Sequence, residues 1–337
     1  MRDLRNYSLL YHNTFGIDVS CRRFVEFETK QELLTVLSTF TEHDKPIMSL
    51  GEGSNLLLTH DYDGTILRSA IRFMTIDVDG DVAAVRCGSG VIWDDLVSAC
   101  VNRGAYGMEN LSLIPGTVGA AAVQNIGAYG TEVKDFISDV WAVEIATGKT
   151  YRFSAADCRY AYRQSRFKTE WKDRFVITAV DFSFDCTFRP HVDYGNIREE
   201  LQRQGIAHPT PRQLRDTIIA IRRAKLPDSS VTGNAGSFFM NPVVSRAKFE
   251  ELLSNYPQMP HYTIDEQHEK IPAGWLIEQC GWKGRTVGAA GVHDKQALVL
   301  VNRGGATGND IVQLCRSIQH DVSQRFGITI SPEVNIL

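Results

Sequence analysis

Apolar positions recur at two spacings along this chain, and the alternation between them predicts an α+β protein. Apolar residues every third or fourth position mark amphipathic helices, whereas short apolar runs bounded by turn residues mark strands. The predicted helices cover residues 31–40, 93–103, 211–226, 273–280 and 309–326. The predicted strands cover residues 23–28, 46–50, 56–59, 65–68, 82–87 and 140–145, with a hairpin over 141–153.

Two of the predicted helices have clear end signals. Thr210 can cap the third helix, and Pro211 suits its first position. The last helix stops at Gly327, because glycine readily adopts the left-handed conformation that ends helices. An extended tail, residues 328–337, follows and carries Glu333.

A glycine-rich loop, residues 50–55 (LGEGSN), joins two predicted strands. Its small residues let backbone N–H groups converge on an anion such as phosphate, although a tight turn explains the glycines equally well. A Rossmann dinucleotide site is excluded, because Leu56 replaces the third glycine of that motif and a strand follows. Residues 61–64 are predicted to turn the chain into the next strand.

A second glycine-rich stretch, residues 114–130, contains four glycines and one proline. A core helix would not tolerate this density, since each glycine costs about 1 kcal/mol relative to alanine. Two interpretations stay open. Either the backbone lies against a flat or phosphorylated cofactor, or the stretch is an irregular loop.

Composition narrows the class of protein. The chain has 337 residues, 43% of them hydrophobic and 23% charged, which suits a globular protein of more than one domain. The net charge of -4, without runs of like charge, argues against nucleic-acid binding. The densest basic group is Arg222, Arg223 and Lys225. It suits a phosphate or diphosphate, but a solvated helix end is the simpler interpretation.

Several targeting and metal signals are missing from the sequence. The seven cysteines are scattered and never spaced C-x-x-C, and the nine histidines lack metal-ligand spacing, so no metal site is predicted. Residues 1–15 do not resemble an export signal, and no run of about 18 apolar residues occurs. A cytoplasmic enzyme without membrane insertion is therefore expected.

Taken together, the motifs resemble those of one enzyme family. The strings LGEGSN, ENLSLIPGTVG, QNIGAYG, CRYAYRQSRFK, KLPD, NAGSFFMNP, AGWLIEQ, QALVLVN and SPEV occur in the order found in the UDP-N-acetylenolpyruvoylglucosamine reductase family. The resemblance covers roughly residues 11–335 and implies the FAD-binding fold of the vanillyl-alcohol-oxidase (PCMH) group. It further implies FAD-binding subdomains at 1–66 and 67–218, an α+β substrate domain at 219–327, and a tail at 328–337 that returns near the active site.

The resemblance also implies which residues bind FAD, non-covalently. These are Gly51, Glu52, Gly53, Ser54, Asn55, Pro115, Gly116, Thr117, Gly119, Asn125, Ile126, Gly127, Tyr129 and Gly130. Two departures from the family pattern bear on flavin affinity: residues 120–122 are alanines where many members have serines, and Asn335 stands where many have arginine.

Three catalytic residues carry over by motif position: Arg163, Ser237 and Glu333. A guanidinium can clamp a substrate carboxylate bidentately, the glutamate can stabilise an enediolate-like form, and the serine can give a proton to C2. Taken singly, each also fits a structural role: a surface charge, a cap and a tail ion pair respectively. The carried-over substrate contacts are Tyr194, Lys225, Asn241, Tyr262 and Gln296, with Tyr262 on a lid-like stretch, residues 256–271.

The implied reaction is NADPH-dependent, FAD-mediated reduction of UDP-N-acetyl-3-O-(1-carboxyvinyl)glucosamine to UDP-N-acetylmuramate, a peptidoglycan precursor. No protein or nucleic-acid partner is indicated. Two alternatives stay open: a flavin-dependent oxidase or dehydrogenase of the same fold group acting on another substrate, and a non-catalytic flavin- or nucleotide-binding regulator.

Overall fold

The computed structural model describes every residue, Met1–Leu337, and combines strands with eight α-helices. The strands are β1 (Arg2–Ser8), β2 (Ser20–Phe27), β3 (Ile47–Leu50), β4 (Leu56–Leu57), β5 (Tyr62–Ser69), β6 (Met74–Asp79), β7 (Val82–Gly88), β8 (Gly127–Ala128), β9 (Thr131–Glu132), β10 (Ile137–Glu144), β11 (Thr150–Ser154), β12 (Phe175–Asp185), β13 (Gly233–Ser237), β14 (Val243–Ser245), β15 (Tyr262–Thr263), β16 (His268–Lys270), β17 (Thr286–Val287), β18 (Ala290–Val292), β19 (Val299–Asn302) and β20 (Asn335–Ile336). The helices are α1 (Lys30–Leu37), α2 (Trp93–Arg103), α3 (Val118–Gln124), α4 (Ile197–Arg203), α5 (Pro211–Lys225), α6 (Arg246–Asn255), α7 (Ala273–Gln279) and α8 (Gly308–Phe326).

The chain forms two compact units, each discontinuous in sequence. Unit 1 comprises residues 1–7, 21–52 and 63–224, and unit 2 comprises residues 8–20, 53–62 and 225–337. The LGEGSN loop is therefore divided, with Gly51 and Glu52 in unit 1 and Gly53, Ser54 and Asn55 in unit 2. The three-part division with bounds at residues 66, 218 and 327 remains a prediction.

Unit 1 is built on two sheets that pack on each other. The first has strand order β1-β2-β5-β3, and the second is antiparallel with order β11-β10-β12-β7-β6. Phe27 and Leu67 of the first sheet share a buried cluster with Val143 and Val176 of the second. Burial of these apolar side chains gives the unit its central layer.

Helices complete unit 1. Helices α2 and α3 pack on the five-stranded sheet, where Trp93, Val118 and Phe182 belong to one buried cluster. Helices α4 and α5 form a smaller cluster through Ile197, Leu201, Leu214, Ile218 and Ile221.

Unit 2 packs helices on an antiparallel sheet of order β13-β19-β18-β17. Helix α8 buries Ile311, Leu314, Ile318 and Val322, whose helical spacing makes one apolar face. A three-stranded sheet, β14-β16-β15, and a two-stranded parallel pair, β20-β4, complete the unit. The parallel pair brings the tail back to the strand that follows the LGEGSN loop.

The structure confirms the α+β class and the five predicted helices, as α1, α2, α5, α7 and α8. Thr210 accepts a hydrogen bond from the Gln213 N–H at 3.2 Å, as expected of a cap. The predicted turn over residues 61–64 is wrong, because β5 already begins at Tyr62. Asp61, the residue before β5, accepts a hydrogen bond from the Ser20 N–H at 2.7 Å. None of the helices has the length and apolar composition needed to cross a membrane.

Candidate active site

The two glycine-rich segments meet in unit 1. A Cβ atom placed on Gly51 would lie 3.1 Å from both the Thr117 side-chain oxygen and the Ala120 Cβ. Glycine therefore lets the loop backbone approach the start of α3 closely. Two segments about 60 residues apart in sequence therefore contact each other within this unit.

The second glycine-rich stretch contains a buried helix, α3, which the glycine density did not predict. Only Gly119 of its four glycines lies inside the helix, while Gly116, Gly127 and Gly130 flank it. A Cβ on Gly119 would lie 2.8 Å from the Ser89 Cβ, and the Gly119 N–H donates to the Ser89 carbonyl at 2.9 Å. Glycine at position 119 therefore allows α3 to lie close to the end of β7, and this contact offsets the cost of a glycine within a helix.

Backbone donors remain open where these segments meet. The N–H groups of Glu52, Gly116 and Thr117 donate no hydrogen bond within the protein. Adjacent unpaired N–H groups beside glycine backbone form an anion-binding concavity. The arrangement therefore fits a phosphate group such as those of FAD.

Asn125 ends α3 and fastens three segments of unit 1 together. It is fully buried in the left-handed conformation, with φ of 49°. Its Nδ2 donates to the Ala161 carbonyl at 2.8 Å and to Glu132 Oε2 at 3.0 Å, and its Oδ1 accepts from the Lys134 N–H at 3.1 Å. The side chain is thus committed to the protein, so a flavin contact at this position would use the backbone.

Asn125→Ala should lower the free energy of unfolding by about 2 kcal/mol, because buried hydrogen-bonding groups lose their partners and alanine tolerates positive φ poorly. Urea unfolding followed by circular dichroism measures this loss. Asn125→Gly removes the same hydrogen bonds but relieves the backbone, so it should be less destabilising than alanine. Equal stability of all three proteins would contradict the assigned role.

Arg163 lies in a tight turn of unit 1 against the QNIGAYG segment. Ala161 and Gln164 exchange backbone hydrogen bonds at 3.0 and 2.9 Å, which holds Arg163 at a φ of 54°. Its Nη2 donates to the Gly127 carbonyl at 2.6 Å, and its own carbonyl accepts from Lys168 Nζ at 2.9 Å. A non-glycine residue held in this conformation marks a constrained site.

Tyr129, Gly130 and Tyr194 also meet in unit 1. A Cβ on Gly130 would lie 3.4 Å from the Tyr194 ring, so the ring packs on glycine backbone. Burial raises the pKa of Tyr129, although Arg222 acts against this shift.

The solvated interpretation of the basic helix end is wrong for Arg222. Its Nε is buried without a partner, and burial lowers the pKa of its guanidinium although Tyr129 and Asp94 oppose the shift. Arg222 follows Leu214 and Ile218 at four-residue intervals, so the helix turns it toward the packed face. Lys225, the last residue of α5, is exposed.

In unit 2, a β-bulge presents Ser237 at the end of β13. The register of β13 against β19 shifts between Asn234 and Ser237, with Gly236 at a φ of 69°. Bulges of this kind redirect a side chain. The Ser237 hydroxyl is exposed and has no hydrogen-bond partner in the protein, while Phe238 and Phe239 behind it are buried. The structure thus excludes the cap interpretation of Ser237.

The tail of unit 2 fixes Glu333 beside this bulge. The Glu333 N–H donates to the carbonyl of Phe238, the residue after Ser237, at 2.8 Å. Asn335 donates to the Asn55 carbonyl through its backbone N–H at 3.2 Å and its Nδ2 at 3.1 Å. Asn55 Nδ2 in turn donates to the Glu333 carbonyl at 3.4 Å. Ser237, Glu333 and Asn55 are therefore brought together within unit 2.

The remaining predicted substrate contacts lie at two places in unit 2. Asn241 Oδ1 accepts from the Ala273 N–H of α7 at 2.9 Å, and a Cβ on Gly274 would lie 3.1 Å from Gln296 Oε1. Asn241 and Gln296 thus both meet the first turn of α7. Tyr262 lies apart on β15 with 39% of its surface exposed, and Lys270 Nζ is 5.6 Å from its ring centroid.

Comparison with known proteins places the chain in a family. It is 52% identical to a UDP-N-acetylenolpyruvoylglucosamine reductase of Bacteroides fragilis, over 99% of both chains. The chain belongs to the UDP-N-acetylenolpyruvoylglucosamine reductase family. Residues 227–337 match the model of the C-terminal domain of this reductase, and residues 21–154 match that of an FAD-binding domain.

Solved structures confirm the fold expected of this reductase family. The crystal structure of the Thermus caldophilus UDP-N-acetylenolpyruvylglucosamine reductase superposes with a TM-score of 0.67 at 23% identity, covering 99% of this chain and 98% of the other. A p-cresol methylhydroxylase structure gives a TM-score of 0.50 at 11% identity, covering 93% and 82% of the two chains. Both are similar in fold, which supports the predicted PCMH-type flavoprotein architecture.

The two departures from the reductase family pattern have structural explanations. Ala121 and Ala122 are buried in the core of unit 1, and the Ala120 Cβ faces Gly51. Asn335 holds Asn55 through two donors, as described above. Lys168, which belongs to the quoted CRYAYRQSRFK string but received no predicted role, supports the turn of Arg163.

Two features of the structure add no further site to this reductase. No group of three or more His, Cys, Asp or Glu side chains could hold a metal ion. A cavity of about 400 Å³ in unit 1 is lined by Lys30, Phe73, Arg86 and Trp141 among others, and by none of the predicted site residues.

Proposed function

We propose that this chain reduces the enolpyruvyl ether of UDP-N-acetylglucosamine to the lactyl ether, UDP-N-acetylmuramate, with NADPH as reductant and non-covalent FAD. One observation supports the proposal most directly. The bulge at Ser237 leaves a hydroxyl without a protein partner beside the backbone-anchored Glu333. A full-length relative at 52% identity, named as this reductase, gives independent support.

Residues 51–55, 115–119 and 125–130 would hold FAD, with the open N–H groups near Gly116 suited to its phosphates. The chemistry that bound FAD supplies is hydride transfer, taken from NADPH and given to C3 of the enolpyruvyl group. The protein's own part is to manage the charge and the proton that this transfer requires.

Three side chains would divide that task. Arg163 binds the substrate carboxylate, where negative charge grows as C3 receives hydride. Glu333 stabilises the enediolate-like form of that carboxylate. Ser237 gives its hydroxyl proton to C2, which completes the addition of two hydrogen atoms across the double bond.

The remaining predicted contacts suit a nucleotide sugar. Lys225 is assigned to the diphosphate, and Tyr194, Asn241, Tyr262 and Gln296 to the uracil and sugar. Closure of Tyr262 over the substrate would exclude water from the reactive centre. We place the reaction in the cytoplasm, as the sequence predicts.

Product analysis tests the proposed reaction. Purified protein with FAD, NADPH and the enolpyruvyl UDP-sugar should give a product two hydrogen atoms heavier than the substrate, detected by mass spectrometry. In D₂O the product should carry deuterium at C2. Oxidation of NADPH at the same rate without the UDP-sugar, and no new product, would exclude this function.

A further inference from the structure

A buried carboxylate lies under the strand that carries Tyr262. Glu269 is fully buried in β16, the central strand of the β14-β16-β15 sheet. Its Oε1 accepts hydrogen bonds from Thr263 Oγ1 at 3.1 Å and from Arg246 Nη1 at 2.8 Å, while Oε2 has no partner. Burying a partly satisfied carboxylate is costly, and an apolar residue would avoid that cost.

Strand pairing separates Glu269 and Tyr262 onto opposite faces of this sheet. Glu269 pairs with Thr263 and Val244, whereas the next residue, Lys270, pairs with Tyr262. Because successive side chains alternate, Glu269 and Thr263 share the inner face while Tyr262 and Lys270 share the outer face. Glu269 on the central strand is 0% exposed, whereas on the edge strand β15 both Tyr262, at 39%, and Thr263 are exposed.

The turn of the hairpin contributes to its register, since the Ile264 N–H donates to the His268 carbonyl at 3.0 Å and Asp265 Oδ1 accepts from the Gln267 N–H at 2.8 Å. Strand β15 contains only two residues, and so short a hairpin is marginal without specific contacts. A slip of one residue would turn Tyr262 toward the inner face. Glu269 opposes that slip through Thr263 on β15, while Arg246, the first residue of α6, holds the carboxylate in place.

We propose that Glu269, together with Arg246, is a positioning residue that sets the register of this hairpin and keeps Tyr262 on its outer face. Any slip would separate Glu269 from Thr263 and leave the carboxylate with fewer buried partners. This inference rests on the proposed function in one respect, namely that Tyr262 contacts the UDP-sugar.

Glu269→Gln and Arg246→Met test the proposal, with Glu250→Gln as the matched control. Glu250 is the other carboxylate partner of Arg246, at 3.1 Å, but it lies in solvent. Each test variant should raise KM for the enolpyruvyl UDP-sugar by about tenfold, as expected when a buried charged hydrogen bond is lost. Flavin reduction by NADPH should keep its wild-type rate, and Glu250→Gln should match wild type throughout.

Two further measurements separate positioning from general weakening. Backbone hydrogen exchange should accelerate at residues 262–263 and 268–270 in Glu269→Gln but not elsewhere. In a Tyr262→Ala background, adding Glu269→Gln should change KM little, because the residue it positions is already gone.

An unchanged KM in Glu269→Gln, or a full tenfold effect that persists in the Tyr262→Ala background, would overturn the proposal. Failure of the proposed function is distinguishable, since wild type itself would then leave the UDP-sugar unreduced. Even if the proposed function fails, hydrogen exchange still tests the register role of Glu269. Exchange at the hairpin of the Glu269→Gln variant that is no faster than in wild type would overturn this role, and faster exchange would support it.

Discussion

Ser237→Ala should slow flavin reoxidation by the enolpyruvyl UDP-sugar by about 10²- to 10⁴-fold, the usual contribution of a positioned general acid. The hydroxyl lies at the end of β13 without a protein partner, so its removal breaks no hydrogen bond within the protein. The β-bulge depends on Gly236 and the buried phenylalanines behind it, and these remain. Reduction of the flavin by NADPH should therefore continue at the wild-type rate.

Anaerobic stopped-flow absorbance of the flavin measures both half-reactions of Ser237→Ala. Ser331→Ala is the matched control, because Ser331 lies in the paired tail segment and its exposed side chain also has no hydrogen-bond partner. Its two rates should equal those of wild type. If Ser237→Ala slows both half-reactions equally, Ser237 is not the proton donor.

Arg163→Met should lower kcat/KM for the UDP-sugar by about 10²- to 10³-fold, the usual effect of removing one donor to a developing negative charge. Methionine keeps an unbranched side chain, so the change does not add β-branching strain at a φ of 54°. The Gly127 carbonyl loses a donor at 2.6 Å, and a stability measurement should accompany the kinetics.

Arg159→Met is the control for Arg163→Met. Arg159 also has positive φ, 46°, but its guanidinium pairs with the exposed Glu170 at 3.1 Å. An exposed ion pair contributes about 1 kcal/mol or less. Arg159→Met should therefore retain near wild-type kcat/KM. A similar loss in both variants would assign the Arg163 effect to the loop rather than to carboxylate binding.

Local sequence signals predicted the long elements well and the site geometry poorly. Helical spacing located α2 and α8, because an amphipathic stripe records which face is buried. Helix α3 was not predicted, because the glycine density of residues 114–130 argued against a helix. Three of the four glycines flank α3 and only Gly119 lies inside it. Thr117 caps this helix by accepting a hydrogen bond from the Ala120 N–H at 3.4 Å, and the close contact with Ser89 explains why residue 119 is glycine.

Long-range pairing accounts for what the sequence could not predict. Asn55 and Asn335 are held together although 280 residues separate them, and no local pattern specifies such a contact. The bulge that exposes Ser237 also arises from long-range pairing, that of β13 with β19. Gly236 alone does not predict it, because a glycine fits a turn, a cap or a bulge equally well. The partial burial of Arg222, by contrast, could be predicted from its spacing after Leu214 and Ile218.

The roles of Arg163, Ser237 and Glu333 were predicted from family resemblance, and the geometry now supplies physical reasons for them. The constrained turn limits where Arg163 can reach, and the tail fixes Glu333 beside the bulge. Each role remains a proposal that the variants above can test separately.

The central claim is that FAD bound to this chain passes reducing equivalents from NADPH to an enolpyruvyl UDP-sugar. Its most direct test is a single anaerobic stopped-flow experiment on the wild-type protein. NADPH should bleach the flavin absorbance, and mixing the reduced protein with the enolpyruvyl UDP-sugar should restore it within one turnover. A flavin that stays reduced after mixing would contradict the account.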